Sequence, residues 1–240
     1  MKKLVVGNWK LNPRTGAEAI DLAKASDIEG VVLCPPDIFL VEVGETIKKA
    51  SLGAQDLFWE DAAGITGEAS AMQLKQIGAS YVIVGHSSRR KEFKETDEVI
   101  NYKTKAALNV DLKTILCIGE DLDIHQQGNA AVGTFVLDQL KKDLEGVNEG
   151  QNLIVVYEPI WSISTSGTGL VDTPEEAAAI MILIKDELFR MGLNKVLVIY
   201  GGSVNGTTAA GFLEQNIIDG VLVGGASLNA DEFKQVIALA

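Results

Sequence analysis

Three side chains able to move or steady a proton each follow a short apolar run: Lys10 after Leu4 to Val6, His86 after Tyr81 to Val84, and Glu158 after Leu153 to Tyr157. A carboxylate fixed at a strand end, with Pro159 stiffening the exit, suits a general base. A histidine in such a place can serve as acid, base or neutral hydrogen-bond donor. A lysine there supplies positive charge for an anion. Each also has a plainer reading, as a solvated lysine, a packed histidine, or a glutamate paired with a cation at a rim.

Two double-glycine turns, Gly201-Gly202-Ser203 and Gly224-Gly225-Ala226-Ser227, follow the last two apolar runs. Glycine lets main-chain N–H groups approach a ligand, and in β/α barrels a phosphate commonly sits after the last two strands. Ordinary tight turns are the alternative. No Gly-Lys-Ser/Thr follows, so there is no P-loop. A nucleophile elbow at Ser87 fails because Arg89 stands where its second glycine belongs. Beyond Glu158 the stretch Ser162 to Gly169 is rich in serine, threonine and glycine, which suits a mobile cover.

The elements that must position these groups alternate. Apolar runs suited to strands buried on both faces are Leu4 to Val6, Val31 to Cys34, Ser51 to Ala54, Tyr81 to Val84, Thr114 to Ile118, Leu153 to Tyr157, Val196 to Tyr200 and Val221 to Val223. Helical spacing lies between them, at Leu40 to Lys49, Asp97 to Leu108, Ala131 to Leu144, Pro174 to Met191 and Ala230 to Leu239. Thr173 before Pro174, and Asn229 before Ala230, supply cap chemistry. Composition alone does not separate a closed barrel from an open doubly wound sheet. The placement of Asn8, Lys10, His86, Glu158, Ser203 and Gly224 after the ends of different strands favours a barrel, which gathers those ends on one face. The expectation is an α/β chain, an eight-stranded parallel (β/α)8 barrel, forming one domain over residues 1–240.

With 240 residues and 47% hydrophobic content, the chain is long enough for one full-sized core. A formal charge of -12 argues against nucleic acid or an anionic membrane surface as a partner. The N-terminus lacks the apolar stretch of a secretory signal, and no run is long enough to span a bilayer. Cys34 and Cys117 read as buried, reduced thiols of a cytoplasmic protein. The two histidines and two cysteines are too scattered for a zinc cluster, and His125 reads as a surface residue. A Schiff-base aldolase would need a lysine within a late strand, whereas Lys195 stands at the start of one.

Taken in order, Asn8-Trp9-Lys10, Cys34-Pro35-Pro36, Gly53-Ala54-Gln55, Thr66-Gly67-Glu68, Gly85-His86-Ser87, Cys117-Ile118-Gly119-Glu120, Tyr157-Glu158-Pro159, Tyr200-Gly201-Gly202-Ser203 and Gly224-Gly225-Ala226-Ser227 resemble the motifs of triose-phosphate isomerases over essentially the whole chain. The resemblance implies interconversion of dihydroxyacetone phosphate and D-glyceraldehyde 3-phosphate through an enediolate, in glycolysis and gluconeogenesis. It makes Glu158 the base, His86 the neutral electrophile and Lys10 the charge that steadies the enediolate. That family is a standard illustration of a carboxylate base working with a neutral imidazole, so these roles are taken over from it. Asn8 would orient Lys10 and, with it, bind the substrate. Phosphate would lie on Gly224, Gly225 and the Ser203 region, with Ser164 or Gly167 of the cover contributing once closed. No cofactor or metal is implied, and Thr66 falls in a segment similar to the loop that reaches the neighbouring subunit of a homodimer.

Three departures from the family pattern stand out. Ser88 occupies a position usually held by glutamate and offers Lys10 no negative partner. The loop from Glu158 to Thr173 is long, with Leu170-Val171-Asp172 in place of the usual Lys-Thr-Ala. The stretch from Pro13 to Gly30 is short. These departures leave room for an alternative, a weak or inactive barrel that binds a phosphosugar.

Overall fold

The structure is a computed structural model that describes residues 2–61, 64–148, 150–164 and 166–240; Thr165 of the expected cover lies outside them. Eight parallel strands close on themselves in sequence order: β1 (Leu4–Asn8), β2 (Val31–Cys34), β3 (Ser51–Ala54), β4 (Tyr81–Val84), β5 (Lys113–Ile118), β6 (Leu153–Tyr157), β7 (Leu197–Tyr200) and β8 (Gly220–Val223). The closing seam pairs Val5 with Val221 and Gly7 with Val223. An open sheet has no such seam, so the barrel reading of the strand-end residues holds.

The strands read as unbroken apolar runs because both of their faces are buried. Val6, Val32, Ile83, Cys117, Val156, Ile199 and Leu222 pack together in one cluster, which the period-two geometry puts inside the barrel. Their neighbours Val5, Leu33, Val82, Leu116, Val155, Val198 and Val221 belong to a second cluster, shared with the helices outside. Both cysteines are buried and free. Burial pushes the Cys34 and Cys117 thiols well above their ordinary values.

The helices are α1 (Gly16–Ser26), α2 (Leu40–Thr46), α3 (Ala71–Gln76), α4 (Ser87–Glu92), α5 (Asp97–Asn109), α6 (Leu122–His125), α7 (Asn129–Asp143), α8 (Pro174–Arg190), α9 (Ala209–Glu214) and α10 (Ala230–Ala238). The expected caps are present. Thr173 Oγ1 accepts from the Glu176 amide at 3.2 Å, and Asn229 Oδ1 accepts from the amides of Asp231 and Glu232, each at 3.1 Å. The second helix stops earlier than its spacing suggests. Asp27, from the far end of α1, draws the amides of Lys48, Lys49 and Ala50 onto its carboxylate at 2.9, 2.7 and 2.8 Å, so the chain leaves the helix at Ile47. Among the described residues no helix is long and apolar enough to cross a membrane.

Candidate active site

The C-terminal strand ends surround a cavity of about 200 Å³. Asn8, Lys10, His86, Glu158, Ser164, Ser203, Gly224 and Gly225 all line it, contributed by the exits of β1, β4, β6, β7 and β8. Gly167 is not among its lining residues, and Thr66 is exposed on the loop between β3 and α3.

Lys10 is held by its backbone. It sits at φ 54°, a left-handed conformation uncommon for a side-chain-bearing residue. Its amide donates to Asn8 Oδ1 at 3.0 Å and its carbonyl accepts from Gln55 Nε2 at 2.8 Å, so two side chains support the turn. The same Gln55 amide donates to the Cys34 carbonyl at 3.0 Å. The ammonium lies over the first glycine of the last turn, where a Cβ on Gly224 would stand 3.7 Å from Nζ. The role of Gln55 is not legible in the sequence, because it depends on a contact between the exits of β3 and β1.

Glu158 is 2% exposed. Its carboxylate accepts from the Ser87 amide and hydroxyl, each at 3.1 Å, and lies 3.0 Å from His86 Nε2. Burial alone would raise its pKa, but the His86 and Ser87 donors and the charge of Lys10 outweigh it and hold the group below the ordinary carboxylate value. This partnership of Ser87 with Glu158 is not legible in the sequence, because a serine beside a histidine carries no sign of which strand end it will face. Behind Glu158 the backbone runs so close to β5 that a Cβ on Gly119 would come within 1.9 Å of the Glu158 carbonyl oxygen. No residue with a side chain fits there without displacing the base.

His86 caps α4. The Ser88 amide donates to its Nδ1 at 3.2 Å, which makes Nδ1 an acceptor and places the proton of a neutral ring on Nε2. Arg90 fastens the loop below. Its Nε donates to the Gly85 carbonyl at 2.8 Å, one terminal nitrogen to Asp97 at 2.8 Å, and the other to the Cys117 carbonyl at 2.9 Å and to Asp143.

The loop after Glu158 is tied at its start. Trp161 Nε1 donates to Glu120 at 2.6 Å, the Ser203 hydroxyl donates to the Ser162 carbonyl at 2.6 Å, and Ser166 Oγ donates to the Trp161 carbonyl at 2.9 Å. His125 is no free surface residue: its ring stacks on Trp161 at 3.8 Å between centroids. The short helix α6 sets the imidazole over the indole, a contact invisible in the polar sequence around it.

At the other end of this loop Asp172 is 4% exposed, with Oδ2 lacking a partner among the described residues. It is faced by Tyr200 from β7, Tyr157 from β6, Glu120 after β5, and the Thr173 amide and Glu176 at the start of α8. Burial raises its pKa to about 7, against hydrogen bonds from Tyr200 and Thr173. The folded chain therefore holds this proton more tightly than the unfolded chain does. The associated stability is fully present below about pH 4 and is lost as pH rises through about 7. Asp172→Asn should gain stability relative to the parent over that interval, on the order of a few kcal/mol. Urea midpoints of both proteins across the interval measure it; parallel profiles would clear Asp172 of the effect.

The closed barrel, with its cavity at the C-terminal strand ends, places the chain among the (β/α)8-barrel enzymes. The family model described as Triosephosphate isomerase matches residues 3–240. A triosephosphate isomerase of Caldanaerobacter subterraneus subsp. tengcongensis is 40% identical over 250 residues, covering 98% of each chain. Those of Endomicrobium trichonymphae and Alkaliphilus metalliredigens are 38% and 40% identical, again over 98% of each chain. The chain belongs to the triosephosphate isomerase family.

Proposed function

We propose that Glu158, His86 and Lys10 carry out the family's aldose-ketose isomerisation in this chain, interconverting dihydroxyacetone phosphate and D-glyceraldehyde 3-phosphate. The observation that carries this reading is the convergence of a buried carboxylate, an Nε2-protonated imidazole and an ammonium group on one cavity floored by glycine turns.

Glu158 begins with both oxygens engaged by Ser87 and His86. To reach a substrate carbon it must leave them, and each hydrogen bond it sheds makes it a stronger base. It then takes the proton from the carbon beside the carbonyl. The electron pair moves onto the carbonyl oxygen, which meets the Nε2–H of His86 and the charge of Lys10 already in place. His86 Nε2 gives its proton to the former carbonyl oxygen and takes the one on the adjacent hydroxyl oxygen, while Glu158 returns its own proton to the former carbonyl carbon, completing the exchange of aldehyde and ketone. The phosphate rests on amides near Gly224 and Gly225 and on the Ser203 turn, with Ser164 closing over it. Neither a redox nor a metal cofactor enters these steps. Closure of the 158–173 loop keeps water from the enediolate.

The protein works as one domain over residues 1–240 and pairs as a homodimer, with the Thr66 loop entering its twin. Leu11, Ile38, Ile65 and Phe93 are 88, 80, 53 and 65% exposed in the segments that follow β1, β2, β3 and β4, apolar surface that a second copy would cover. A coupled assay in both directions tests the activity; a folded protein that binds the triose phosphate but does not turn it over would refute it. Sedimentation at micromolar concentration tests the pairing, with a monomer as the contrary result.

A further inference from the structure

Ser88 approaches His86 twice. Its amide donates to Nδ1 at 3.2 Å, and its Oγ lies 2.8 Å from the same nitrogen. An amide only donates, so Nδ1 carries no proton and the hydroxyl must also be a donor in its contact. The opposite tautomer would set a bare Nε2 lone pair against the Glu158 carboxylate at 3.0 Å. The hydroxyl contact is the shorter of the two, and Ser88 supplies both of the hydrogen bonds that Nδ1 receives among the described residues.

The charged side chains that follow do not compete for the ring. Arg89 turns to Asp56 and Glu95, each at 2.7 Å, and Arg90 to Asp97 and Asp143. On the Nε2 edge the ring meets Glu158.

We propose that the Ser88 hydroxyl is a positioning residue for the isomerisation, a second donor that holds the His86 ring in its Nε2–H form and aims that proton into the cavity. This rests on His86 being the group that polarises the substrate carbonyl. A donor on Nδ1 draws electron density from the ring and makes the Nε2–H a better donor in turn. The gain is greatest when negative charge has built up on the substrate oxygen, so it falls on kcat more than on KM.

The protein has two histidines, so in 15N-histidine-labelled protein a His125→Gln background leaves one ring to observe. The parent should show an unprotonated, hydrogen-bonded Nδ1 and a protonated Nε2. In Ser88→Ala the Nδ1 resonance should move towards that of a free acceptor nitrogen, and kcat should fall about three- to tenfold with KM changed by less than about twofold. Position 88 is exposed and threonine keeps the hydroxyl, so Ser88→Thr should restore both.

A parent ring with its proton on Nδ1 would overturn the proposal. So would a Ser88→Ala protein whose Nδ1 resonance stays put, whatever its kcat, or a Ser88→Thr protein that restores neither quantity. The nitrogen resonances do not depend on turnover. A parent without isomerase activity would remove the functional reading while leaving the hydrogen bond readable.

Discussion

Glu158→Gln lowers kcat by about a hundredfold or more, the usual contribution of a general base. Glutamine keeps the shape of the side chain and can still bond to Ser87, so the 2% exposed pocket it fills stays packed. What it lacks is a charge able to accept a proton from carbon. The measurement is kcat in both directions, together with exchange of solvent deuterium into the substrate, and both should fall together. A folded Glu158→Gln protein within about tenfold of the parent would mean that another group removes the proton.

Arg90→Met should cost about 3–5 kcal/mol of stability, because it strands a buried charge. Asp143 is fully buried and takes its only cation from Arg90, among the described ion pairs. The same guanidinium holds the Gly85 and Cys117 carbonyls at the exits of β4 and β5. Burial lifts the Asp143 pKa to about 7 even with the arginine pulling it down, so below that pH the carboxyl can sit neutral without its partner. The cost of the substitution should therefore be smallest in acid and largest above about pH 7. Urea unfolding across that range measures it. Lys142→Met, at a pair more than half exposed, should leave the midpoint where it is. Equal midpoints for the parent and Arg90→Met would show that the buried carboxylate finds another way to be satisfied.

The strands and the caps of α8 and α10 were legible because they depend on neighbours in the chain. Apolar runs of four to six residues mark strands buried on both sides, and a threonine or asparagine ahead of a helix bonds amides two or three places on. Lys10, His86 and Glu158 were legible for the same reason, as polar residues set directly after such runs. The end of α2 was not, since it is set by the Asp27 carboxylate, more than twenty residues earlier. Ser87 and Gln55 were opaque too, because each acts on a group brought to it by a different strand.

The amino-acid sequence by itself determined which segments become strands, where their polar ends fall, and which chemical groups stand at those ends. Only the tertiary structure decided that β1 meets β8, that Glu158 rests on Ser87 and His86, that His125 covers Trp161, and that Asp172 is buried without a full set of partners among the described residues. The physical reason is range. Strand propensity and capping act over a few residues, whereas closure of the barrel joins strands more than two hundred residues apart and sets hydrogen bonds and charge burial that no local pattern encodes.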